Sequence, residues 1–111
     1  MSYIPNRGDI IWITVGQRPE YHRADRSPVV VLSPAAYNEH AGLALACPIT
    51  TLAEGGPFEV HIPDSLPVKG VILADQVRSV DWQAAHAIRA CALPAHTVAE
   101  VLRKLNALLD E

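Results

Sequence analysis

The chain has 111 residues, half of them hydrophobic and 19% charged, so it is long enough for a real core and too apolar for disorder. A formal charge of −3 and a pI near 5.9 exclude a large nonspecific nucleic-acid binder but not a small site reading a few nucleotides. No apolar run approaches the ~20 residues of a membrane span, and Met1–Arg7 carries no apolar stretch of the kind a secretory signal needs. The expectation is one domain over residues 1–111. Cys47 and Cys91 sit among apolar neighbours at a spacing that fits no zinc pattern, and read as buried free thiols in a reducing compartment.

Short elements punctuated by proline and glycine follow in chain order. Arg7-Gly8-Asp9 turns into a strand over Ile10–Val15, and Gly16–Ser27 reads as a charged loop. Within it Arg18, His22, Arg23 and Arg26 face Glu20 and Asp25, which by composition alone is a solvated surface. Pro28 and Pro34 bracket the apolar strand Val29–Leu32, since proline cannot donate to a ladder. Ser33–Gly42 reads as a helix with Ser33 as N-cap, Pro34 in the first position and Gly42 as the left-handed stop.

A third strand runs Leu43–Cys47 and ends at Pro48, after which Thr50 and Thr51 place two hydroxyls at the strand end. Phe58–Ile62 alternates as a half-buried strand should. Pro63–Lys69 is a loop, and Gly70–Ala74 is a strand running on into Asp75–Val80. Ala87–Ala92 is the last strand. Thr97 and Glu100 form a capping-box pattern opening a C-terminal helix, in which Val98, Val101, Leu102, Leu105, Leu108 and Leu109 share one face. Strands with helices appended give an α+β, mainly β domain or a small partly open barrel. Trp12 reads as core, and Trp82 as a cover over one end of the barrel.

Five segments in order carry a resemblance across nearly the whole chain: Gly8-Asp9-Ile10-Ile11-Trp12, Pro28 through Pro34, Pro48-Ile49-Thr50-Thr51, Gly56-Pro57-Phe58-Glu59-Val60, and Gly70 through Ser79. With them the chain resembles the MazF/PemK family of toxin endoribonucleases. The resemblance implies an SH3-like, partly open antiparallel barrel with short helices and a C-terminal helix, assembled as a homodimer. It implies cleavage of single-stranded RNA, usually mRNA, at a short sequence in the bacterial cytoplasm, arresting translation. It further implies no cofactor or metal, and a cognate MazE-like antitoxin whose acidic tail occupies the RNA groove.

Carried over residue by residue, the resemblance puts Thr50 at the catalytic threonine. Fixed donors suit such a reaction because they are oriented before charge develops on the phosphate, and a guanidinium fork matches two phosphate oxygens. Here the chain departs from the family, which reads Arg-Pro where this chain has Ser27-Pro28, with Arg26 one residue earlier. Adjacent strand residues point to opposite faces, so the offset matters. Three readings stand: Arg26 reaches the phosphate through a bulge or local shift; Ser27 is an inactivating replacement; or another cation such as Arg23 takes over.

His22 stands where many relatives carry an acid, and its imidazole titrates near neutrality. Arg18 and Arg23 are expected to steer RNA phosphates, and Asp75 and Gln76 to contact RNA in the dimer groove. Two alternatives remain. One is an impaired toxin that still binds RNA and antitoxin. The other is a CcdB-like gyrase poison, against which the Leu108-Leu109-Asp110-Glu111 ending speaks.

Overall fold

The computed structural model describes residues 3–18 and 23–110, with backbone alone at 15–18 and 23–25. The described elements are β1 (Asp9–Arg18), β2 (Arg23–Val31), α1 (Ala35–Ala41), β3 (Ala44–Thr50), β4 (Glu59–His61), β5 (Val71–Leu73), β6 (Arg78–Val80), β7 (Ile88–Ala92) and α2 (Ala95–Leu109). The strands form one antiparallel sheet in the order β4-β5-β3-β2-β1-β7, with β6 added on β3. This is the expected partly open, barrel-like sheet.

β3 is its pivot. Ala46–Pro48 pairs with β2 along one edge. On the other edge Ala44–Ala46 pairs with β6, while Ile49 and Thr50 pair with β5. One strand therefore serves two ribbons, and the sheet curls there without closing.

Both faces of the β1-β2-β3 centre are apolar, which explains an uninterrupted Val29-Val30-Val31 where a half-buried strand would alternate. Val30 joins Ile10, Cys47, Ile72 and Val101 on one side, and Val29 and Val31 join Ile11, Ile13 and Trp82 on the other. α2 covers the first side with Val98, Val101, Leu102 and Leu105. Trp82 closes the second, its indole nitrogen donating to the Asn38 carbonyl at 3.2 Å.

Several expectations need correction. The Gly16–Ser27 segment is not simply a loop: β1 runs out to Arg18 and β2 starts at Arg23, pairing across Gln17↔Ala24 and Arg18↔Arg23. Ladder bonds join backbone groups, so a charged hairpin arm pairs as well as an apolar one. Pro28 lies inside β2, and Pro48 lies inside β3 rather than ending it. Pro48 is in the last β2–β3 pair, Val29↔Pro48, and Pro28 lies just beyond it, so no β2–β3 pairing continues past the two prolines.

The helix caps differ as well. Pro34 and Pro94 are the N-caps, and neither helix has a side-chain cap bond. Ser33 turns inward instead, donating to Asn38 Oδ1 at 2.5 Å and accepting from the Leu45 amide at 2.8 Å. Thr97 is buried inside the first turn of α2. Gly42 does stop α1 at φ 71°, its amide bonded to the Asn38 carbonyl. Leu108 and Leu109 remain exposed, so the apolar face of α2 is covered only through its first turns. Between Ala74 and Val77 the chain turns, and β6 is a separate strand rather than a continuation of β5.

Candidate active site

Thr50 is the last residue of β3 and is half-buried. Its hydroxyl oxygen accepts a hydrogen bond from the Leu52 amide at 3.1 Å, which fixes the rotor and leaves the hydroxyl proton to be donated elsewhere. Across the ladder it pairs with Val71, and Gly70 packs directly on its backbone. A Cβ at 70 would collide with the Thr50 carbonyl oxygen and approach its carbon to 3.0 Å, at a φ of +128°. Only glycine lets the two strands meet so closely.

Thr50 and Thr51 open onto a cavity of about 410 Å³. Trp12 and Pro28 form one wall, and the Pro67–Lys69 turn forms the other. The two walls come from β1-β2 and from the segment leading into β5, which β3 pairs on either side and which share one apolar core.

Arg26 and Ser27 part company in this structure. The β1–β2 register runs without interruption through Thr14↔Arg26, Ile13↔Ser27 and Trp12↔Pro28, and the irregularity lies further out, between Thr14 and Gln17. No bulge therefore shifts Arg26 by one position. It shares a face with Trp12, and its guanidinium carbon sits 5.4 Å from the Trp12 ring centroid. Such a cation–π contact is worth about 0.5–1 kcal/mol at an exposed site. Arg26 thus stands over a wall of the cavity without lining it. Ser27 is on the opposite face, that of Val29 and Val31, and the β2–β3 pairing ends at Val29↔Pro48 before reaching it.

The structure does not bring Asp75 and Gln76 into this cavity. They follow β5 in a turn closed by the Gln76 amide on the Leu73 carbonyl at 3.1 Å. They line a separate cavity of about 160 Å³ with Phe58 and Glu59. There Glu59 accepts from the Glu54 amide at 2.9 Å and the Gly55 amide at 3.1 Å. The Glu54 amide, followed by those of Gly55 and Gly56, holds its carboxyl below the usual glutamate range. His22 lies outside the described residues, as do the side chains of Arg18 and Arg23.

Cys47 is buried, and its thiol is pushed up to about 11, first by burial and then by the Asp75 carboxylate, so it stays protonated at neutral pH. Cys91 is only partly buried; burial raises it too. Among the described residues no group of three His, Cys, Asp or Glu side chains is placed to hold a metal ion. Lys69 is the residue that sequence reasoning missed. It reads as the end of the Pro63–Lys69 loop, and only the Gly70 that follows, forced against Thr50, hints that the loop ends at the site.

The chain is 36% identical over 107 residues to the endoribonuclease toxin MazF of Escherichia coli (strain K12), covering 96% of each. A crystal structure of MazE–MazF from Deinococcus radiodurans superposes at a TM-score of 0.89 with 45% identity, over 96% of this chain and 97% of that one. A mycobacterial endoribonuclease in complex with its cognate antitoxin shares the fold at a TM-score of 0.77 and 22% identity, over 95% of this chain and 94% of that one. Residues 6–109 match the family described as PemK-like, MazF-like toxins of type II toxin–antitoxin systems, and the chain belongs to that family.

Proposed function

We infer that the chain is the toxin of a type II toxin–antitoxin pair and acts as an endoribonuclease on single-stranded RNA, needing no metal. The observation that carries the reading is Thr50, its hydroxyl oriented by the Leu52 amide at the mouth of a cavity built from three elements, in a chain of this family. In the reaction the RNA 2′-oxygen bonds to the adjacent phosphorus as the bond to the 5′-oxygen breaks. One proton leaves the 2′-hydroxyl and one reaches the departing oxygen, leaving a 2′,3′-cyclic phosphate and a 5′-hydroxyl. Thr50 donates to a phosphate oxygen as charge develops. Arg26, with Arg18 and Arg23, draws the RNA backbone to the hairpin side. His22 is the imidazole available for one proton transfer, and Asp75 with Gln76 contacts RNA further along.

Two partners follow from the same reading. The acidic tail of a MazE-like antitoxin would occupy the RNA path, attracted by the same cations. A second copy of the chain would cover the apolar groove of about 440 Å³ formed by Leu32, Leu45, Val77, Leu102 and Leu105, beside which Tyr37 is exposed.

The test is incubation with a long single-stranded RNA in excess chelator, followed by mapping of the ends. Cyclic phosphate and 5′-hydroxyl ends at a recurrent sequence are expected. RNA and antitoxin binding with no product would return the impaired-toxin reading that Ser27 raises.

A further inference from the structure

We propose that Lys69 is the cation at the reacting phosphate in this chain, supplying the charge that Ser27 cannot. This deepens the endoribonuclease reading above and rests on it.

Among the described residues, Lys69 is the one cationic side chain lining the Thr50 cavity. Its place is enforced by the backbone. Gly70 is pressed against the Thr50 carbonyl and Val71 is paired with Thr50, so the residue before Gly70 must leave the ladder at the level of the two threonines. Its ammonium donates one hydrogen bond, to the Asp64 carbonyl. That bond folds the side chain back over its own loop, while two of the three N–H donors stay available. Among the described residues it forms no ion pair, whereas Arg89 is engaged by Asp9 and Lys104 by Glu100. Arg26, the nearest alternative by sequence, has its guanidinium over Trp12 on the far wall.

The chemistry asks for what this arrangement offers. As the 2′-oxygen adds to phosphorus, negative charge grows on the non-bridging oxygens, and a preplaced cation stabilises it without itself gaining or losing a proton. An ammonium lacks the two-pronged fit of a guanidinium but acts as a point charge on phosphate. In this reading Thr50 and Lys69 flank the phosphate, and the Ser27 position is relieved of its charge.

The experiment measures single-turnover cleavage and binding of one RNA by the wild type, Lys69→Gln, Lys69→Arg, Ser27→Arg and the Ser27→Arg/Lys69→Gln pair. Lys69→Gln is expected to cut about 100-fold more slowly, with its RNA Kd changed by less than about tenfold. Lys69→Arg should retain most of the rate, and Ser27→Arg should restore cleavage to Lys69→Gln. Wild-type cleavage that Lys69→Gln leaves unchanged would overturn the role of Lys69 and leave the endoribonuclease reading standing. So would cleavage that appears only after Ser27→Arg. If no version cuts RNA, the activity reading itself falls and the role of Lys69 with it.

Discussion

The chemistry assigned to Thr50 depends on one hydroxyl whose oxygen is already engaged by the Leu52 amide. Thr50→Val should lower the cleavage rate by about 10²-fold while RNA still binds, and Thr50→Ser should keep most of the rate; single-turnover cleavage beside a binding titration separates the two. Glu59 carries a pH prediction. Its carboxyl is held low by backbone amides, first that of Glu54, so it binds its proton less readily in the folded state. Its contribution to holding the 54–56 turn is therefore complete above the ordinary glutamate pKa of about 4.3. It is lost as the pH falls through the lower folded value. A carbon-detected NMR titration should give Glu59 a midpoint below that of free glutamate; a midpoint at or above it would contradict the assignment. At this scale the sequence already exposed the central tension, because a period of two puts Arg26 and Ser27 on opposite faces whatever the fold. It could not expose Lys69, which reaches the Thr50 cavity only through the pairing of β3 with β5.

Among the elements, β3 and its contacts position the site, and Gly70 is the tightest of them. Gly70→Ala meets both a positive φ and the Thr50 backbone, whereas Gly42→Ala meets only a positive φ with open space around it. Strain of this kind costs about 1–3 kcal/mol per residue. Urea denaturation should therefore show the larger loss for Gly70→Ala, and equal losses would mean that β5 can draw away from Thr50 freely. α1 is pinned differently. Asn38 is fully buried and donates to the Pro5 carbonyl at 2.7 Å and the Ser33 carbonyl at 3.0 Å. Asn38→Ala leaves those groups unpaired, at about 1–3 kcal/mol each, and the midpoint of unfolding should fall accordingly. These elements were legible where apolar runs and glycine stops announced them, as in Val29–Leu32, Gly42 and the face of α2. The hairpin arms were hidden because ladder bonds ignore side-chain charge. The caps were misplaced because Pro34 and Pro94 took the cap positions and freed Ser33 and Thr97 for the interior.

In the whole molecule, β3 is the strand that joins two ribbons, and the core shared by Ile10, Val30, Ile62, Val68 and the α2 residues Val98 and Val101 holds the cavity wall from β1-β2 against the wall before β5. The resemblance anticipated this sheet from five segments in order, but strand order is a non-local property that no segment states alone. The uncovered groove around Leu45 leads to a prediction for the assembly. Leu45 is 41% exposed in a mostly apolar groove. Light scattering should give twice the chain mass for the wild type and a shift toward the single-chain mass for Leu45→Lys. A monomeric wild type, or a variant that remains dimeric, would place the second copy elsewhere or remove it.

The central claim is that this chain cleaves RNA by attack of the 2′-hydroxyl beside the Thr50 cavity. A short RNA containing the mapped site, prepared with a single 2′-deoxy substitution at the cleaved nucleotide, tests it most directly. Single-turnover assays in chelator should show the all-ribose strand cut and the substituted strand bound but intact. Cleavage of the substituted strand at the same bond would contradict the mechanism.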